Sequence, residues 1–251
     1  MFSLLILPLA FLPSLIWLLF YLRKDVHPEP NRLIIRVFLW GLLVTVFAAL
    51  AIVGFQKFNV FLVSKDISLK IILPPFWTLP LVIILFNAFW EEALKYLVVR
   101  FTVLKNKEFD EPVDAMEYMI IVALAFAAVE NLLIGFRQGN LIELGNVLFP
   151  RFLGATFIHA LSSAVVGFFL ARAIFHRKNR QRYPLRISFI LIGLLIASGL
   201  HGFFNFLIIK SENLGRAVYL YLIAVFLIFL SLIVTKGFRR LNIQSLKLKK
   251  K

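Results

Sequence analysis

The chain has 251 residues, 61% of them hydrophobic, with 28 Phe and 13 acidic residues against 28 Lys and Arg. That balance excludes an ordinary soluble domain, which carries more charge and fewer apolar residues. The absence of Cys excludes disulfides, thiol catalysis and thiolate metal sites.

The apolar residues arrive in seven blocks, 2–22, 33–55, 79–103, 113–136, 151–175, 187–209 and 217–235. Each approaches the roughly 20 residues that a helix needs to cross a hydrocarbon core about 30 Å thick. Continuous runs of this kind favour helices over barrel strands, whose residues alternate. The sequence therefore predicts an all-α fold, a polytopic integral membrane bundle of about seven transmembrane helices. Residues 1–251 are expected to form a single transmembrane domain with no appended soluble unit.

The first block lacks a basic start and a small-residue cleavage site, and Arg23 and Lys24 follow it directly, so it reads as a retained signal-anchor. Between the second and third blocks, residues 56–78 form the longest expected outer loop, ending in Pro74, Pro75 and Pro80, which stop or kink a helix. Residues 104–112 and 176–186 are expected inner connections. With the N-terminus outside, 20 Lys/Arg fall on the inner side and 7 on the outer, with Lys95 inside a span. Positive residues accumulate in cytoplasmic loops, which predicts N-out, C-in. This placement and attraction to anionic lipid account for the net charge of +15. The lipid bilayer, rather than nucleic acid, is the partner that the charge implies.

The spans carry polarity where it is expensive. An ionisable side chain at mid-membrane costs about 2.5–3.5 kcal/mol on insertion scales, so Glu91, Glu92, Lys95 and Glu130 must face the bundle interior or a hydrated cavity. In the third span Asn87, Glu91 and Lys95 fall at i, i+4 and i+8 and form one stripe, while Glu92 lies i, i+3 to Lys95. Lys95 can counter either carboxylate, and a dry carboxylate beside a cation suits a general base for water. A structural salt bridge is the competing reading.

The fourth span adds Glu130 and Asn131, the fifth Arg151 and His159, and the sixth His201 and Asn205, which share a face at i, i+4. Counted from the outer ends, Glu91, Glu130, His159 and His201 fall in one slab roughly 10–15 Å below the surface. Asp114 and Glu117, at the inner end of the fourth span, read as a solvated helix start with favourable dipole placement. Arg137 and Arg151 read as outer boundary markers, with Arg151 able to reach toward His159.

Several intramembrane chemistries are excluded by residue type. There is no His-Glu-x-x-His motif and no Asp deep in a span, and Ile196 stands where a rhomboid-like Gly-x-Ser-Gly would need its first Gly before Ser198-Gly199. The series Glu91-Glu92-Ala-Leu-Lys95, Phe126-xxx-Glu130-Asn131, His159 and His201-xxx-Asn205 resembles the PrsW family of membrane proteases. That family is similar to the broader CAAX-prenyl endopeptidase and bacteriocin-immunity superfamily. Lys95 stands one position earlier than the Arg of the CAAX-type pattern, and Glu130 stands where that branch has His.

The resemblance implies a glutamic-type peptidase of the cell membrane, expected to be the bacterial plasma membrane, that clips a single-span, membrane-anchored protein such as an anti-sigma factor. On that reading Glu91 activates water, Glu92 and Lys95 set its ionisation, His201 and Asn205 hold the scissile carbonyl and its oxyanion, and His159 positions water or donates a proton. Asn87, Glu130, Asn131 and Arg151 are expected in support. No metal or other cofactor is expected on this reading. Its alternative is zinc held by the two His and the carboxylates. Two rival classes are a proton- or ion-coupled transporter and a non-catalytic immunity-type membrane protein.

Overall fold

The computed structural model describes residues 2–64, 80–176, 183–213 and 216–249. Pro74 and Pro75 of the expected outer loop and the basic stretch 177–182 lie outside them. The described residues form eight helices: α1 Phe2–Leu22, α2 Asn31–Ser64, α3 Pro80–Thr102, α4 Asp114–Gly135, α5 Leu141–Leu153, α6 Ala155–Phe175, α7 Tyr183–Asn213 and α8 Arg216–Lys249. Six stretches are long and apolar enough to cross a membrane, with α5 and α6 counted as one. Glu91, Glu92 and Lys95 in the middle of α3 keep that helix out of the set. Its 23 residues nonetheless rise about 35 Å, enough to span.

α4 is the axle of the bundle. A helix that is apolar all round belongs in the interior, and every residue of α4 from Asp114 to Val129 is buried. α1, α2 and α6 pack around it. Without a hydrophobic drive between helices in lipid, close packing needs small residues, and α4 supplies Ala115, Ala123, Ala125, Ala127 and Ala128. Gly167 of α6 lies so near that an added Cβ would stand 2.5 Å from the Ala115 carbonyl oxygen and from Met116 Cα.

Three expectations need correction. The block 151–175 is not one helix. The chain breaks at Gly154 (φ −111°, ψ −85°), whose N–H bonds the Pro150 carbonyl at 2.9 Å. Trp17 of α1 fixes this corner by donating Nε1–H to the Phe152 carbonyl at 2.9 Å and stacking on Phe157 with centroids 4.2 Å apart. Before the break, α5 is a separate amphipathic helix that begins between the fourth and fifth apolar blocks. Asn140 caps it by accepting from the Glu143 N–H at 3.0 Å, and Glu143 reaches back to the Gly139 N–H at 2.8 Å. Its Leu144 and Leu148 bury against Ile6, while Ile142 and Phe149 point outward at 77% and 67% exposure, as in a helix lying in a membrane interface.

The second correction concerns length. α2 continues to Ser64, so residues 56–64 are helical rather than loop, and α8 carries the basic tail as far as Lys249. The third concerns Asp114 and Glu117, which are 1% exposed rather than solvated. The connection from α1 to α2 and the turns before α4 fold over them.

Candidate active site

The site grows from the middle of α3. Glu92 and Lys95, one turn apart, are both fully buried, with Lys95 Nζ 2.8 Å from Glu92 Oε1. A carboxylate withdrawn from water must have its lone pairs filled, and Glu92 has three further donors at hand. Ser162 Oγ donates to Oε1 at 3.0 Å and Ser163 Oγ to Oε2 at 2.6 Å, both from α6. His201 of α7 brings Nδ1 to 3.2 Å from Oε1. Glu92 therefore ties three helices together and has no oxygen to spare.

The two imidazoles are held in matching ways. Glu92 can only accept from a ring nitrogen, so His201 carries its proton on Nδ1 and turns a bare Nε2 toward Glu91 Oε2, 3.8 Å away. Lys95 Nζ, a donor only, sits 2.9 Å from His159 Nδ1. That places the His159 proton on Nε2, 3.1 Å from Glu130 Oε2. His159 Nδ1 is in turn 4.0 Å from Glu91 Oε2. The rings meet edge to face with centroids 4.6 Å apart. Each imidazole thus gives one N–H to a carboxylate; His201 presents its other nitrogen to Glu91, whereas that of His159 already accepts from Lys95 and lies beside Glu91.

Glu91 is the opposite of its neighbour. Its side chain keeps 13% exposure, yet Oε2 is buried and has no hydrogen-bond partner among the described residues. Glu91, His159 and His201 each offer one ligand atom, all within 4.8 Å of one another.

A polar chain backs this centre. Arg151, at the end of α5, brings one guanidinium nitrogen to 3.0 Å from Glu130 Oε2, and its Nε donates to Asn131 Oδ1 at 2.6 Å. Asn131 Nδ2 donates to Thr156 Oγ1 at 3.1 Å. Arg151 therefore reaches His159 through Glu130 rather than directly. Phe126 lies beneath, with Lys95 Nζ 4.8 Å from its ring centroid.

Glu91, Glu92, Lys95, Glu130, Asn131, Arg151, His159 and His201 form one connected cluster. Asn87 and Asn205, one turn from Glu91 and His201, are half-buried, and their side chains make no hydrogen bond among the described residues. The sequence reading missed Ser162, Ser163 and Thr156. Their one signal was position, since Ser162 and Ser163 follow His159 by a single turn. An apolar groove of about 480 Å³ between α2 and α3, lined by Arg36, Trp40, Phe47, Leu97 and Phe101, contains none of the cluster.

Comparison with known proteins agrees with the motif series. Residues 29–233 match the family model described as PrsW family intramembrane metalloprotease. A protein named Protease PrsW from Geobacillus kaustophilus (strain HTA426) is 31% identical over 213 residues, covering 82% of this chain and 80% of the relative. Protease PrsW of Bacillus subtilis (strain 168) is 29% identical, over 84% and 83% of the two chains. That of Oceanobacillus iheyensis is 28% identical, over 94% and 96%. No solved structure matches. The chain belongs to the PrsW family and is a multi-pass membrane peptidase.

Proposed function

We propose that the chain hydrolyses a peptide bond in a single-span, membrane-anchored protein of the anti-sigma-factor type, near the outer face, with Glu91 taking the proton of the attacking water. The observation that carries this reading is the bare Oε2 of Glu91, buried between two imidazoles while every oxygen of neighbouring Glu92 is occupied. A carboxylate left unsatisfied in a dry pocket is poised to accept a proton. Glu92 and Lys95 then act as positioning residues. His201, oriented by Glu92, and His159, oriented by Glu130, direct ring nitrogens at the space beside Glu91. Asn205, on the His201 face of α7, would donate to the oxyanion as the carbonyl becomes tetrahedral. The outer location rests on the Lys/Arg asymmetry, which puts the N-terminus outside.

The family's description names a metal, and the residues fit one. Two imidazoles with outward N–H groups on carboxylates, plus an unpartnered carboxylate oxygen, make the donor set and supporting shell that zinc favours. On this alternative Glu91, His159 and His201 would hold the ion, with Lys95 withdrawn from His159 Nδ1, and Glu91 would be a ligand in place of the base. When bound, it would supply Lewis acidity at the scissile carbonyl and make water more acidic.

The test is co-expression of wild type and Glu91→Gln with a library of tagged single-span proteins. A substrate clipped by wild type and intact with Glu91→Gln supports the reading. Equal clipping by both overturns it. Purified enzyme that loses cleavage in a chelator and regains it with Zn²⁺ supports the metal-holding role, and full activity after exhaustive chelation rejects it.

A further inference from the structure

A second cluster of acids lies at the other end of α4, sixteen residues before Glu130 and so about 24 Å from it along the helix. Asp25 and Glu29 come from the α1–α2 connection and Asp114 from the first turn of α4; all three are buried, and one carboxylate oxygen of each lies within 4.8 Å of the others. Oxygens bound to one cation at 2.3–2.6 Å stand no further apart than about 5 Å.

The carboxylates are held in place by outside donors. The His27 N–H bonds Asp25 Oδ1 at 3.1 Å. The N–H groups of Asp110 and Glu111 bond Asp114 Oδ2 at 3.0 and 2.8 Å. The Tyr118 hydroxyl donates to Glu29 Oε2. Donors of this kind favour ionised acceptors.

Two buried oxygens are left over. Asp25 Oδ2 has no hydrogen-bond partner among the described residues. Oε2 of Glu117, a residue 1% exposed, likewise meets no N–H or O–H donor among the described residues; its carboxylate lies against that of Asp25, close enough to share a proton with it, and faces Glu29 and Asp114 from one turn along α4. Among the described residues, no Lys or Arg forms an ion pair with any of these four acids. His27 is turned to Glu111, with Nδ1 3.0 Å from Oε1. Four buried carboxylates without a counter-cation are too costly to stand together as ions.

We propose that Asp25, Glu29 and Asp114, with Glu117 behind them, bind a divalent cation that prefers hard oxygen ligands, of the Ca²⁺, Mg²⁺ or Mn²⁺ class. The donor set lacks the imidazole and thiolate that draw zinc, which separates it from the Glu91 cluster. The cation's role is structural. It pins the elbow between α1 and α2 onto the start of α4, the helix that carries Glu130 and Asn131 at its far end.

The experiment uses full-length protein in detergent carrying Glu91→Gln and His159→Ala, which removes the first cluster, with Mn²⁺ as the probe. Electron paramagnetic resonance should show about one equivalent bound, and the unfolding temperature should rise with Mn²⁺. Adding Asp25→Asn and Asp114→Asn should weaken binding at least about tenfold and abolish the rise. Should that protein fail to fold, Glu117→Gln replaces it and should weaken Mn²⁺ binding several-fold. Failure of the starting protein to bind Mn²⁺, or undiminished binding in the cluster variant that folds, overturns the proposal and leaves shared protons as what holds the acids together.

Discussion

Lys95 Nζ and Glu92 Oε1 lie 2.8 Å apart with neither side chain exposed, so each is the other's main reason for being ionised inside the bundle. Removing one partner strands a buried charge. Lys95→Met is expected to destabilise the protein by about 3–5 kcal/mol. Adding Glu92→Gln should recover part of that loss, because the pair is coupled. Thermal unfolding in detergent of both variants checks this. An additive double variant would mean that the pair is not an energetic unit.

Glu91→Gln should behave differently, although it is the adjacent residue. Oε2 of Glu91 has no hydrogen-bond partner to lose, so stability should fall by less than about 1 kcal/mol. Cleavage of a co-expressed substrate should disappear. A large drop in unfolding temperature would make Glu91 a structural residue instead.

Ser163 tests the support that the sequence did not reveal. Its hydroxyl donates to Glu92 Oε2 at 2.6 Å, the one donor to that oxygen among the described residues, and a hydrogen bond to a charged group is worth about 1.5–3 kcal/mol. Ser163→Ala should cost stability in that range, whereas Ser163→Thr, which keeps the hydroxyl, should cost less. Comparison of their unfolding curves decides.

Why some of this was legible and some was not follows from geometry. The helical rise alone puts Glu91, Glu130, His159 and His201 at one depth, and the i, i+3 and i, i+4 spacings give the faces of α3 and α7. Nothing in one sequence gives proximity in the membrane plane, which depends on α3 and α7 both packing against α6. Ser162, Ser163 and Thr156 leave no periodic mark on an apolar helix and matter only once that packing exists. Asp114 and Glu117 misled for a related reason, because the residues that bury them include Asp25 and Glu29, nearly ninety positions earlier. The start of α5, capped by Asn140 and Glu143, was missed, and the apolar run beyond it hid the break at Gly154.

Gly167 tests the close approach of α6 to α4. A Cβ there would lie 2.5 Å from the Ala115 carbonyl oxygen and Met116 Cα, both backbone atoms that cannot swing aside. Overpacking of this sort costs about 1–3 kcal/mol. Gly167→Ala should therefore lower the unfolding temperature, and Gly167→Leu should lower it further. Gly145, with nothing within 4 Å of an added Cβ, supplies the control, and Gly145→Ala should be neutral or slightly stabilising.

Orientation can be read directly because the chain has no Cys of its own. Arg137 is exposed in the connection between α4 and α5, and Lys107 is exposed in the turns before α4, its side chain at 90%. These positions flank α4 at opposite ends. With the N-terminus outside, Arg137→Cys in intact cells should react with a membrane-impermeant maleimide, and Lys107→Cys should react only after the membrane is opened. Both substitutions replace exposed side chains and should leave folding intact. The reverse labelling pattern would turn the bundle over, moving the Glu91 cluster toward the cytoplasmic face and the Asp25–Asp114 acids toward the exterior.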